Sequence, residues 1–475
     1  MKDDVQIEVW FADLTFPHYM DRLERLGEEF NQAHPGYRVL VRGMDFRTLP
    51  LQAAQAAAAG RAPALCEFYF TVTQAARDLR DQDGNPQFTS IEQAVAGRRE
   101  ILGEPVIIDD LTPVLREYYS YDGELISVPT AGTTPLLYAN LDLLRAAGIE
   151  HLPQTWEELE AACAAVARSG RGPAHRITWP NHGLFFQQAL AVQGGLLCDR
   201  GNGRLGRATT VDLASEEMLA WVYYWQRLHA DGHYLYTGQI PDWVGTFRAF
   251  AEQEVVFRIS SSADMNYMVE AARGNGFDIA VGRFPYPRGA AYGGNMVAGA
   301  SLWLSAGLDE QTRDGALAFV QFLNNPRNDA ARHRADSSIP VTNAGYQLLA
   351  SQGWFDQHPY HRAASDQLSS YPPRLTGADG STRPGAPPVW GLLLGDFSGV
   401  QDVMTRAMGD VLVRRADPRS RFGEATVEAQ QMLVDYHADC ASGGPRRPDS
   451  LRVEYFADAE AYSAADLEDV ARLHS

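Results

Sequence analysis

Lysine is nearly missing from this sequence. Lys2 is the only one, and the remaining strong bases are all arginine, a bias that reads as GC-rich coding and says nothing about function. Positive charge is scarce altogether, with 41 basic against 60 acidic residues and a formal net charge of −19 over 475 residues. Nucleic acids and anionic membranes bind clustered positive charge, so neither is expected as a partner. No apolar run reaches the roughly eighteen residues of a membrane-spanning helix. The four cysteines, Cys66, Cys163, Cys198 and Cys440, are far apart and lack CxxC spacing. They read as buried thiols or one incidental disulfide, not as a metal or redox site.

Catalytic signatures are missing too. No GxSxG, HExxH, GxxxxGK[ST] or GxGxxG stands in a strand-to-helix context. The acid pairs Asp109-Asp110 and Glu157-Glu158 read as a solvated face of an acidic chain, and His358 and His361, near a helix end, as capping or packing groups. No cofactor or metal centre is expected, and a binding protein is expected in place of an enzyme, the alternative being an enzyme of carbohydrate metabolism. The N-terminal MKDDVQIEVWF enters a strand almost at once and lacks the apolar segment of a signal peptide. That leaves a cytoplasmic protein, or an exported one whose leader is absent from this chain.

At 475 residues and 45% hydrophobic content, the chain exceeds the ~250–300 residues that one core usually serves, so two or more lobes are expected. Strand, helix, strand, helix, strand is the reading of VQIEVWF, 19–34, YRVLVRG, LQAAQAAAAG and ALCEFYF. It predicts a parallel sheet covered by helices, with ligands at the carboxyl ends of the strands. PQTWEELEAACAAVARSG predicts a helix capped by Thr155 with Glu158 as its capping-box partner. Strands are predicted in EVVFRIS, FDIAVGRFPYP and MVAGASLWLS, one long helical region over 399–439, and a further strand and helix in LRVEYF and AADLEDVARL.

The stretch LISVPTAGTTPLLYANLDLLRAAGI begins as a buried strand and ends as a helix, yet Pro129 to Pro135 is small and polar. A strand built only for packing would stay apolar, because a bend costs ladder hydrogen bonds. The hydroxyls and backbone there point to binding. Thr133, Thr134, Ser261, Ser262 and the Gly299 backbone are candidate hydrogen-bonding groups; Trp10, Tyr69, Phe70, Trp179, Trp243 and Trp390 are candidate aromatic platforms. Sugars suit such a mixture, since the C–H face of a pyranose packs on a ring while its hydroxyls need directional partners.

The pattern DGELISVPTAGTTPLLYANLDLLRAAGI followed by PQTWEEL resembles the family-one extracytoplasmic solute-binding proteins of ABC importers. FNQAHPGYRV, AGRAPAL, AGASLWLSAGLDEQTRDGALAFVQFLNNP, SIPVTNAGYQLLASQGWFDQHP and GDFSGVQDVMTRAMGDVL extend the likeness in order over residues 5–440, closest to the glycerol-3-phosphate and glycerophosphodiester branch. The resemblance implies an α/β fold of the two-lobed periplasmic-binding-protein type, with hinged lobes and a central cleft. It divides the chain into a first lobe of 1–130 and 285–340, a second of 131–284 and 341–440, and a C-terminal extension of 441–475. Crossings are expected at 129–135, 282–288 and 338–344.

By the same resemblance Tyr69 falls on a tyrosine that lines the cleft, Thr133 on a loop serine, Ser261 and Ser262 on a serine pair, and Gly299 on a glycine whose backbone faces ligand. Trp179 lies near a family tryptophan. Phe70 replaces a ligand-binding glutamate, Ser338 a tyrosine, and Leu393 the arginine that holds phosphate. These departures point away from glycerol-3-phosphate and toward a neutral sugar or glycosylated compound, unless Arg374 or Arg383, in an insertion between Pro373 and Trp390, returns a guanidinium to the cleft. The expected partners are that solute and the permease subunits of an importer. The expected state is a monomer outside the cytoplasm, periplasmic or lipid-anchored at the cell surface.

Overall fold

The computed structural model of the chain describes residues 4–13, 19–290, 294–369 and 391–442. Trp390, Arg374, Arg383 and the predicted elements of the 441–475 extension beyond Ser442 lie outside the described residues.

The expected alternation is present. The strand Val5–Asp13 leads to the helix Tyr19–Ala33, the strand Tyr37–Asp45, the helix Leu49–Ala58 and the strand Leu65–Tyr69. The first helix buries Leu23, Gly27 and Phe30 along one stripe, as helical periodicity demands. It stops before Pro35-Gly36, where Gly36 takes φ +95°. The three strands pair in parallel, with Val5–Asp13 in the middle. The sheet continues antiparallel through Ala298–Ser305, which also pairs with Phe88–Thr89 and Val128–Thr133.

A second sheet has the order Ile177–Thr178, Phe257–Ser261, Pro135–Asn140, Ile279–Arg283. Around it pack the helices Trp156–Ser169, Gly183–Gln193 and Glu216–Ala230. The capping box forms as read: the Glu158 N–H donates to Thr155 Oγ1 at 3.2 Å, and the Thr155 N–H donates to Glu158 Oε2 at 3.3 Å. The long helical region is two helices, Phe397–Arg414 and Pro418–Ala441. Arg415, at φ +57°, ends the first, and Pro418, which has no N–H to leave unpaired, opens the second.

The first passage between the sheets lies within the expected segment, and it is one residue long. Val128–Thr133 belongs to the first sheet, Pro135–Asn140 to the second, and Thr134 alone separates them. The other two differ from expectation. At 282–288 the chain still lies on the second sheet's side, because Tyr286 exchanges backbone hydrogen bonds with Gln154 and Trp156. The change comes at Asn295 and Met296, directly before Ala298 pairs with Thr133. The 338–344 segment stays beside the first sheet: the Ile339 N–H donates to the Gly132 carbonyl at 2.8 Å, and Val341 accepts from the Thr112 N–H at 2.9 Å. Return to the second sheet comes later, where Gln367 reaches Thr134, Pro135 and Phe284. Proline and glycine mark a bend, but they do not say which sheet the bent chain follows.

Candidate functional site

Thr134, fully buried, is bonded on every side. Its N–H donates to Ser262 Oγ at 3.1 Å and its hydroxyl to the Met296 carbonyl at 3.2 Å, while Gln367 Nε2 donates to Thr134 Oγ1 at 2.8 Å. The small polar residues between the two prolines are thus accounted for at this position. A chain leaving one sheet for the other buries backbone groups that no ladder can pair, and hydroxyls complete the set. Ser262, 1% exposed, belongs to the same joint.

Strand register carries other candidates to this junction. Tyr69 is the last residue of its strand and faces Ala300; Gly299 faces Gly132; Thr133 faces Ala298; Ser261 faces Pro135 across the second sheet. All four therefore lie where the two sheets meet, at the carboxyl ends of the first sheet's parallel strands. Tyr69 and Thr133 are half-buried. The Ser261 hydroxyl accepts from the Ala263 N–H at 3.2 Å and its carbonyl accepts from the Tyr138 hydroxyl at 2.7 Å. Gly299 has φ +137°, and a Cβ there would stand 2.0 Å from the Ala131 carbonyl oxygen. Close strand approach alone explains the glycine. Trp243, also half-buried, opens the helix Trp243–Ala251 beside His182, with ring centroids 5.2 Å apart.

Other candidate platforms are placed differently. Phe70 is 3% exposed and meets Phe397 edge-on with centroids 6.2 Å apart, so it replaces an acid with core packing and not with a stacking face. Trp179 is 1% exposed, enclosed by Phe185, Phe186, Trp221, Trp225 and Tyr234 at 5.2–6.1 Å. An aromatic periodicity reports burial and cannot tell a cleft from a core. Trp10 is half-buried and donates through Nε1 to Glu8 at 2.7 Å. Ser338 and Leu393 are both buried. The cysteines are free thiols, three of them buried. His361 packs as read: burial, with His333 and His358 nearby, lowers its pKa to about 3.

Sequence reasoning missed three groups here. Glu67, 1% exposed, accepts from the Ala12 N–H at 3.1 Å and the Thr130 hydroxyl at 2.5 Å. Burial raises its pKa despite these two bonds. Alternation along ALCEFYF sets it on the same face as Tyr69, a signal the sequence did contain. Tyr119 is fully buried, and burial, reinforced by Tyr118, Glu67 and Tyr69, holds its hydroxyl well above the usual value, so it stays protonated. Arg204 reaches across from the second sheet's side: Nη1 donates to the Tyr118 carbonyl at 2.6 Å and Nε to the Gly391 carbonyl at 3.3 Å. Neither Tyr119 nor Arg204 belongs to a motif. Among the described residues no cluster of three or more metal-binding side chains occurs, and no helix is long and apolar enough to cross a membrane.

Comparison with known proteins accords with this geometry. The profile of bacterial extracellular solute-binding proteins matches residues 25–359. The sn-glycerol-3-phosphate-binding periplasmic protein UgpB of Salmonella typhimurium LT2 is 25% identical over 434 residues, covering 88% of this chain and 92% of the relative. Among solved structures, the sugar-binding protein MalE of Xanthomonas citri superposes with a TM-score of 0.70 at 17% identity, covering 91% of this chain and 98% of its own. UgpB of Mycobacterium tuberculosis in complex with glycerophosphocholine gives 0.68 at 19%, covering 91% and 99%. The fold is thus that of the two-lobed periplasmic binding proteins, and the relatives are binding proteins, not enzymes. With the family profile spanning well over half of its length, the chain belongs to the bacterial extracellular solute-binding proteins.

Proposed function

We propose that this solute-binding receptor of an ABC importer takes a carbohydrate or other polyhydroxylated small molecule between its lobes, which close on it. One observation carries the reading. A single residue, Thr134, takes the chain from sheet to sheet, and strand register delivers Tyr69, Thr133, Ser261 and Gly299 to that step. A solute lodged there touches both lobes, so its affinity is greater for the closed form and binding shifts the population toward it. The half-buried rings of Tyr69 and Trp243 offer apolar faces, and the hydroxyls and strand-end backbone offer directional partners. The closed form is what the permease subunits meet, with the receptor acting as a monomer outside the cytoplasmic membrane, free in the periplasm or lipid-anchored.

A second reading, a glycerophosphodiester or glycerol-3-phosphate receptor with a relocated phosphate site, is favoured by the UgpB relatives and by the guanidinium of Arg204 near Gly391. A thermal-shift screen across sugars, polyols and glycerophosphodiesters tests both. A ligand at a hundred times its dissociation constant adds about 2.7 kcal/mol. Saturable stabilisation, with compaction in small-angle scattering, is the expected result. No response to any class, under conditions where the protein is folded, overturns the proposal.

A further inference from the structure

Residues 199–206 are pinned against 391–394. The Leu393 N–H donates to the Asn202 carbonyl at 2.9 Å, and Gly203, at φ +75°, lies so close that a Cβ would stand 2.0 Å from the Leu393 carbonyl oxygen. No other residue fits at 203, and this approach aims Arg204 at Tyr118 and Tyr119. The guanidinium centre sits 4.5 Å from the Tyr118 ring centroid, and two of its nitrogens bond to the carbonyls of Tyr118 and Gly391. The third, Nη2, is buried and has no partner. No carboxylate among the described residues forms an ion pair with Arg204. Tyr119 adjoins it, its ring 4.8 Å from that of Tyr118. Its hydroxyl, fully buried, also bonds nothing.

A guanidinium keeps its proton under any ordinary condition; Arg204 is half-buried and feels Glu117 without pairing with it, so the buried Nη2 is the part of it left without an acceptor. Native structures seldom leave a buried N–H and a buried O–H unpaired in one place without a use for them. Both groups are donors here, and both flank Tyr118, whose hydroxyl donates at 3.2 Å to the carbonyl of Phe70, the residue after Tyr69.

We infer that Arg204 Nη2 and the Tyr119 hydroxyl form an oxyanion-reading corner of the cleft, so that the solute carries a phosphate, sulfate or carboxylate beside its hydroxyls. This rests on the receptor reading above and narrows its substrate class. An oxyanion accepts from both donors at once, neutralises the guanidinium, and ties the second lobe's Arg204 to the first lobe's Tyr119, which adds to closure. A neutral hydroxyl would satisfy one donor and leave the charge unpaired.

Calorimetry on the full chain with charged and neutral probes decides this: inorganic phosphate, sulfate, glycerol 3-phosphate, glucose 6-phosphate and glucuronate against glycerol, glucose and maltose. The charged member of a pair should bind at least about tenfold tighter than its neutral counterpart, the scale of one charge-assisted hydrogen bond. Tyr119→Phe removes a hydroxyl that holds nothing in the fold. It should leave the melting temperature of the free protein unchanged while weakening the charged probe about tenfold. Arg204→Gln should abolish the preference for charge, and Arg204→Lys should keep part of it. Neutral sugars binding as tightly as charged ones, or Tyr119→Phe leaving charged-probe affinity intact, would overturn the oxyanion corner while the receptor reading stands. If neither kind of probe binds the folded protein, both fall together.

Discussion

Thr134 and Ser262 exchange two hydrogen bonds across the joint between the sheets. The Thr134 N–H donates to Ser262 Oγ at 3.1 Å, and the Ser262 N–H donates to the Thr134 carbonyl at 2.9 Å. The residue that ends one sheet and begins the other is thereby fixed to the far end of the strand Phe257–Ser261. Any lobe movement must then be accommodated around a joint whose polar groups are already paired.

Thr134→Val keeps the shape and removes the hydroxyl, so the buried Met296 carbonyl loses the bond it accepts from that hydroxyl and Gln367 Nε2 loses the bond it donates to it. The expected cost is about 1–3 kcal/mol, read as a lower urea midpoint at unchanged slope. An unaltered midpoint would show that the joint does not depend on this hydroxyl.

Gly299→Ala should be among the most damaging single-methyl additions in the chain. The backbone lies at φ +137° and the new carbon would overlap the Ala131 carbonyl oxygen, so the strand Ala298–Ser305 must shift or part from Val128–Thr133. Strained backbone alone costs about 1–3 kcal/mol, and the overlap adds to it. Thermal unfolding of the variant should show a marked fall in midpoint, and a midpoint within a degree of wild type would contradict this account.

Asp78 ties the first lobe to the rest through Arg207 and Tyr436, and also accepts from Gln74 on its own helix. Burial alone would raise its pKa, but those bonds more than offset the burial and hold it below the usual value. Its contribution to stability is therefore complete above the unfolded value of about 3.9 and is lost as pH falls through the lower folded value. Asp78→Asn should cost about 1–2 kcal/mol at neutral pH, a figure kept low because Arg207 is partly exposed to solvent. It should also flatten the acid limb of the stability profile. Equal stability losses for variant and wild type below pH 4 would count against the assignment.

Trp179 separates a core role from a binding role. Trp179→Ala should cost about 3–5 kcal/mol as a large cavity opens in the aromatic cluster. Trp179→Phe should fold with a smaller loss and bind the receptor's solute as wild type does. A Phe variant of normal stability and much weaker affinity would return the ring to the cleft.

Local order was legible in the chain by itself. The β-α-β-α-β opening, the Thr155–Glu158 capping box and the bend between Pro129 and Pro135 each depend on residues within a few positions of one another, and each stands where it was read. Glu67 was legible in principle, from its alternation with Tyr69. Only the tertiary structure decided that Phe70 and Trp179 are core, that the second passage falls at Asn295–Met296, and that Arg204 meets Tyr118 and Tyr119. The physical reason is the same in each case. Side-chain periodicity records that a face is covered, and the identity of what covers it depends on contacts such as Thr134 with Gln367, 233 positions apart, which leave no trace in local sequence.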